Sequence, residues 1–399
     1  MSISRRDWLT TTGLAIAGAS APLRVLEGKP HSSGTFEPWL EIDAAALGHN
    51  VETVSRLSGG RPILAVAKNN AYGLGLETAG PLLDVQPRIW GLAVVRPGEA
   101  LALRRAGVRK PVLLMGPASN EQREALVRQH VRLAATATDH SNRLIGLAAR
   151  IGRPIPVHLY VDTGMHRMGT PHDQVLPWLE DATLRRAIRI EGAFTELVED
   201  QDFDREQAAR LRGLAESART RGVSLGLLHA ASSDAIMRPT AETFLDLVRP
   251  GLTLYGGYPT AEAMDRGELE PAYRLKARVI RVALLAAGEG VSYHRRYTVE
   301  QPSWIATLAI GHVDGYPSGA VKGCQVLLRD KLYPVVGTVS ASHTLVALGA
   351  ETNVAVGDEA VLVGSARPEL HPNVVAQQSG WSEYNMFMHL HPGLARRVS

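Results

Sequence analysis

The residues best placed to do chemistry lie in Ala65-Val66-Ala67-Lys68-Asn69-Asn70-Ala71-Tyr72-Gly73-Leu74-Gly75. Lys68 follows an apolar run that opens at Pro62. An amine delivered by the end of a buried strand is poorly solvated, which favours its neutral form. A neutral lysine can attack an aldehyde and form a Schiff base. Few other groups compete for such a role. The chain has one cysteine, Cys324, so no intramolecular disulfide is possible and the cysteine-based metal motifs are excluded. His389 and His391 read as surface residues, and no metal site is expected.

A lysine at a strand end is useful only where the fold gathers several strand ends. From Trp39 to about Tyr273 the chain alternates short apolar runs with helical patterns. The runs at 62–67, 89–94, 111–115, 131–135, 157–162 and 188–194 are bounded by Gly and Pro, as strands buried on both faces are. Segments such as 96–106 and 203–221 between them read as helices. Repeated strand–helix units of this extent predict a (β/α)8 barrel over residues 36–273, with functional groups at the C-terminal ends of its strands. After residue 274 the texture changes to short strands at 274–285, 304–310, 323–329, 332–339 and 359–363, closed by turn residues. Residues 274–399 therefore read as an all-β domain.

Composition agrees with two soluble domains. The 399 residues are 45% hydrophobic and 21% charged, outside the disordered range. Forty-three Lys and Arg face 40 Asp and Glu with no basic block, so nucleic acid is not an expected partner. From residue 36 onward no apolar stretch reaches the ~18 residues of a membrane span.

The segment around Lys68 resembles the lysine motif of the alanine racemase family, pyridoxal-phosphate enzymes of fold type III, and further motifs follow in the family's order. Asp162-Thr163-Gly164-Met165-His166-Arg167-Met168-Gly169 resembles the segment whose arginine, here Arg167, meets a cofactor ring oxygen and the substrate carboxylate. His229-Ala230-Ala231-Ser232-Ser233 is similar to the phosphate turn, with Ser233 in the phosphate position. In Arg249-Pro250-Gly251-Leu252-Thr253-Leu254-Tyr255-Gly256 the resemblance implies Arg249 on the pyridine nitrogen and backbone N–H groups of Gly251 and Leu252 on the phosphate. It places Tyr72 and Tyr384 in the cofactor site as well, Tyr384 on the phosphate. Val291-Ser292-Tyr293-His294-Arg295-Arg296-Tyr297 resembles the segment that sends a tyrosine into the other subunit's site. Lys68 and Tyr293 would then be the two bases that racemisation needs, one on each face of Cα. The resemblance implies pyridoxal 5'-phosphate as cofactor, a small amino acid as substrate and a head-to-tail homodimer. An arginine cannot accept a proton, so Arg249 would leave the ring nitrogen unprotonated and the carbanion short-lived.

The sequence also departs from the family. The usual, often carbamylated, lysine is Tyr160; the usual Thr-His is Thr195-Glu196; the Met-Asp pair near the substrate is Ala341-Ser342. Ionised, Glu196 would pair with Arg249 and set a negative charge beside Tyr293. The cofactor positions are intact, so the alternatives to racemisation are another pyridoxal-phosphate reaction, such as a lyase or decarboxylase, or a non-catalytic cofactor-binding protein. Ser4-Arg5-Arg6-Asp7-Trp8-Leu9, followed by a short apolar stretch and Ala19-Ser20-Ala21, resembles a twin-arginine export signal. Residues 1–35 are thus expected to be signal and linker, and the protein to be periplasmic or secreted.

Overall fold

The computed structural model describes residues 35–399, apart from 138–140, 239–240 and 266. The signal read at residues 4–21 lies outside the described residues. After β1 (Trp39–Ile42) come β2 (Ile63–Val66), β3 (Ile89–Val94), β4 (Val112–Leu114), β5 (Val131–Ala135) and β6 (Ile155–Asp162). The two-residue β7 (Thr170–Pro171) lies beside β6 and precedes β8 (Ile188–Phe194) and β9 (Leu227–His229). The order β2-β3-β4-β5-β6-β8-β9 is parallel throughout. Residues 247–248 close the circle: Leu247 bridges His229 and Val248 bridges Ile63, both parallel. Leu64 N donates to Val248 O at 2.9 Å and Val66 N to Pro250 O at 2.9 Å. β2 is buried at every position, as a strand covered by helices on one side and a barrel core on the other must be.

The helices cover the outside with an apolar stripe. In Gln201–Thr220, Asp200 caps the first turn by accepting from Phe203 N at 3.1 Å. Ala208, Leu211, Leu214 and Ala218 bury one face at helical spacing.

The second domain is built on β10 (Tyr273–Leu285), whose first half alternates buried and half-buried positions. It pairs antiparallel with Ser303–Leu308 on one side and with Glu359–Val363 on the other. Two features differ from the sequence reading. β1, read as the start of the barrel, pairs antiparallel with β10 and parallel with Ala395–Val398, so it belongs to the second domain's sheet. That domain is also not purely β, because Pro372–Ser379 and Glu383–Met388 are helices. They lie against the barrel: Tyr258 N donates to Asn373 Oδ1 at 3.1 Å, and a Cβ on Gly73 would stand 2.2 Å from Phe387 O.

Candidate active site

A cavity of about 310 Å³ opens where the barrel strands end. It brings together Lys68, Tyr72, Arg167, Glu196, Ser233, Arg249, Gly251 and Tyr384 from distant parts of the chain. Lys68 follows β2, Arg167 follows β6, Glu196 follows β8, Ser233 follows β9 and Arg249 follows the closing segment 247–248. Parallel strands aim all their C-terminal ends at one face, which is why residues so far apart in sequence converge.

The turn after Lys68 is strained. Asn69, Asn70, Ala71 and Tyr72 all have φ between 51° and 59°, and Gly73 follows at 82°. Left-handed backbone costs about 1–2 kcal/mol for an ordinary L-residue, and Ala71 and Tyr72 have no side-chain compensation of the asparagine kind. The second domain clamps the turn instead. Arg396 Nη2 donates to Gly73 O at 2.7 Å and its Nε to Leu74 O at 2.9 Å. The turn leaves the half-buried Lys68 at the cavity, its amine without a hydrogen bond or ion pair to any described residue. It also sends Tyr72 beneath the cavity to stack on Tyr255, ring centroids 4.9 Å apart.

Tyr72, Ser233, Gly251 and Tyr384 form one end. Ser233 Oγ accepts from Gly251 N at 3.0 Å and Thr253 N at 3.3 Å, which fixes the hydroxyl at the start of a short helical turn. Leu252 is buried next to Gly251; as the first residue of that turn, its N–H has no acceptor within it. A Cβ on Gly251 would stand 2.2 Å from Tyr72 Oη, so the cradle exists only because that residue is glycine. Ser232 Oγ, also at the cavity, is a buried hydroxyl with no partner. Burial pushes the Tyr384 phenol up to about 12 and Tyr72 well above its usual range, so both stay protonated and can donate. Hydroxyls and the N-terminal N–H groups of a short helical turn gathered at one end of a pocket fit a phosphate.

Arg249 occupies the floor, 2% exposed. Its Nη1 donates to His229 O at 2.9 Å and contacts His229 Nδ1 at 3.2 Å; its Nη2 donates to Thr195 O at 2.7 Å and to Glu196 Oε2 at 3.1 Å. Four of the five guanidinium hydrogens are thus engaged, leaving Nε–H for an incoming acceptor. The tautomers behind it follow. An arginine only donates, so His229 Nδ1 accepts, and its Nε2–H donates to His158 Nδ1 at 2.8 Å. The remaining N–H of His158, on Nε2, is buried without a partner. Burial, with Arg249 adjacent, holds His229 well below the usual histidine range, and burial lowers His158 to about 4.

Glu196 also lies 3.6 Å from Arg167. Burial, with Glu196 nearby, raises the Tyr160 phenol. Helix 201–220 holds this corner from behind. Gln207 Nε2 donates to Glu196 O at 2.9 Å, and Asp204 Oδ1 accepts from Val198 N and Glu199 N at 3.1 Å.

The structure leaves four sequence-proposed residues outside the cavity lining of one chain, the buried Leu252 among them. Tyr293 sits on a short turn of the second domain, 67% exposed, and Ala341 and Ser342 are exposed on the same domain. Conversely, Met115, Met165, Leu197, Val198, Glu199 and Ser232 line the cavity without having been singled out. Only Ser232, beside Ser233, carried a signal in its sequence position.

Family models extend the picture beyond one site. The alanine racemase N-terminal domain matches residues 42–259 and the alanine racemase C-terminal domain matches residues 272–398. An alanine racemase of Desulforamulus reducens is 37% identical over 358 residues, covering 87% of this chain and 95% of the relative. Alanine racemase 2 of Caldanaerobacter subterraneus is 33% identical, covering 82% and 85%. The solved alanine racemase of Clostridium difficile 630 superposes with a TM-score of 0.83 at 27% identity, over 92% of this chain and 97% of that one. The enzyme from Streptomyces lavendulae gives 0.84 at 26%, over 92% and 98%. With both domains matched in order and a cavity fit for a phosphate, a ring nitrogen and a lysine-bound aldehyde, this chain belongs to the alanine racemase family of pyridoxal-phosphate-dependent amino-acid racemases.

Proposed function

We propose that the protein interconverts the L and D forms of alanine, or of a broader set of small amino acids, by proton transfer at Cα with Lys68 and Tyr293 as the two bases. The observation that carries this is the convergence of an unpaired lysine, a hydroxyl-rich cradle and an arginine with one free donor in a single cavity.

Pyridoxal phosphate supplies an aldehyde for Lys68 and a ring that withdraws electrons from Cα. Tyr72, Ser233, Tyr384, the amide of Leu252 and that of Gly251, on release from Ser233 Oγ, would hold its phosphate. Arg249 would direct Nε–H to the ring nitrogen and, having no proton to accept, keep that nitrogen unprotonated. Arg167 would orient the substrate through its carboxylate. Lys68 Nζ would hold or deliver the Cα proton on one face.

Tyr293 serves the other face from the partner subunit in a head-to-tail dimer. Its 67% exposure, with Val313 on the same domain 49% exposed, supports a covering by a second copy. The exposed Ala341 and Ser342 fit the same reading, as the partner's contribution to the side-chain end. The Arg5-Arg6 motif supports export by the twin-arginine route to the periplasm or medium. A reporter fused to residues 1–35 is expected to leave the cell, and to stay inside it when both Arg5 and Arg6 are replaced by lysine.

The test is turnover. Purified protein loaded with pyridoxal phosphate is incubated with single L-amino acids and the products separated by chirality. D-alanine from L-alanine, with no amine loss or CO2 release, is the expected result. Decarboxylation or elimination instead of inversion would replace racemisation with another reaction of the cofactor.

A further inference from the structure

One carboxylate touches both arginines of the cavity, and its two contacts differ in kind. Glu196 Oε2 meets Arg249 Nη2 at 3.1 Å, where the arginine is 2% exposed; Oε1 meets Arg167 Nη2 at 3.6 Å, where the arginine is 60% exposed. The first contact is fixed from several directions, because Arg249 is also held by Thr195 O and His229 and the Glu196 carbonyl is held by Gln207. The second is longer than the ~2.7–2.9 Å of a good charge-assisted hydrogen bond and is open to water. An exposed ion pair of that kind is easily exchanged.

We propose that Glu196 is a positioning residue that neutralises Arg167 until the substrate's α-carboxylate displaces it, while its other oxygen stays on Arg249. This rests on the functional reading only in taking Arg167 as the group that meets the substrate carboxylate. The incoming carboxylate and Glu196 compete for one guanidinium fork, which pairs best with a single carboxylate in bidentate fashion. Glu196 therefore weakens substrate binding while it keeps the empty cavity from trapping other anions. Were Glu196 merely structural, removing its charge would loosen the cavity and weaken binding. The exchange predicts the opposite sign.

The experiment uses the pyridoxal-phosphate-loaded protein and propionate, a carboxylate with no amine to react. Binding is followed by calorimetry and by the cofactor's visible band. Glu196→Gln is expected to bind propionate roughly threefold to fivefold more tightly than wild type, the range of an exposed pair. The KM for alanine should fall by a similar factor while kcat does not rise. Arg167→Gln should abolish propionate binding with or without Glu196→Gln. Equal or weaker propionate binding by loaded Glu196→Gln, or a tightening that survives Arg167→Gln, would overturn the proposal. Glu196→Asp, one methylene shorter, provides the same test should the glutamine variant fold poorly: tighter binding supports the exchange and weaker binding refutes it. A protein that takes up no cofactor, yet binds propionate more tightly as Glu196→Gln, would refute the functional reading and leave the exchange standing.

Discussion

The phosphate end and the substrate end of the cavity are finished to different degrees. At the first, Tyr72, Ser233 and Gly251 come from one chain, are almost wholly buried and are fixed against one another at hydrogen-bond or van der Waals contact. At the second, Arg167 is 60% exposed, and the tyrosine and small pair expected beside it lie on another surface of the molecule. One chain thus holds what is needed to bind the cofactor, and in the proposed dimer a second chain would complete the substrate end. Preorganised donors bind a phosphate without further change, whereas a base must be brought to within hydrogen-bond reach of the proton it moves.

Changes at the substrate end should leave cofactor binding intact and cost the most turnover. Tyr293→Phe is expected to keep the visible band and lose about 10²–10⁴-fold in kcat in both directions of inversion, the usual worth of a positioned acid or base, because the group that takes the proton in one direction delivers it in the other. Loss of the band in this variant would show that the two ends are not separable. At the phosphate end the reverse holds. Gly251→Val, whose added carbons enter the space of the Tyr72 hydroxyl, should lose the cofactor on dialysis while the fold survives by circular dichroism. Retained cofactor would show that the cradle is softer than its packing implies.

The histidine pair behind Arg249 gives a smaller effect with a defined sign. His158 is lowered from 6.5 to about 4, so between those values the unfolded chain binds the proton and the folded one resists it. Stability therefore rises with pH through this window and is lost as pH falls from about 6.5 toward 4, by on the order of 3 kcal/mol for this residue. Urea midpoints at pH 7 and pH 5 measure it, and equal midpoints would contradict a neutral, buried pair.

The positions legible in the sequence are those whose chemistry is local. Lys68 stands at the end of an apolar run, Ser233 in a turn, and Arg249 before Pro-Gly, so short motifs identify them. The carboxylate of Glu196 is legible as a departure from the family's Thr-His, and its pairing with Arg249 follows from that family position together with its charge. Its second contact, to Arg167, is not, because that distance depends on how two barrel loops lean together. The His158–His229 bond joins residues 71 apart, and nothing in either strand signals it. The left-handed run after Lys68 was hidden for another reason: Ala71 and Tyr72 do not favour it, and the clamp from Arg396 that holds it comes from the far end of the chain. β1 was misassigned because a short apolar strand carries no mark of which sheet it joins.

The smallest predicted effect lies at the edge of the substrate end. In the proposed dimer Ala341 and Ser342, brought by the partner, would leave room that a larger pair would fill, and one such contact is worth only ~1–3 kcal/mol of discrimination. Serine and 2-aminobutyrate should be turned over within about 10–200-fold of alanine in kcat/KM. Strict selection of alanine would place another wall at that position.

The central claim, that Lys68 is the residue that holds the cofactor, has a direct measurement. The pyridoxal-phosphate-loaded protein is reduced with borohydride, digested and mapped by mass spectrometry. A single pyridoxyl adduct on the peptide containing Lys68, absent from Lys68→Ala, is the predicted result. An adduct on a different lysine, or reduction that leaves no adduct on a protein carrying the visible band, would contradict it.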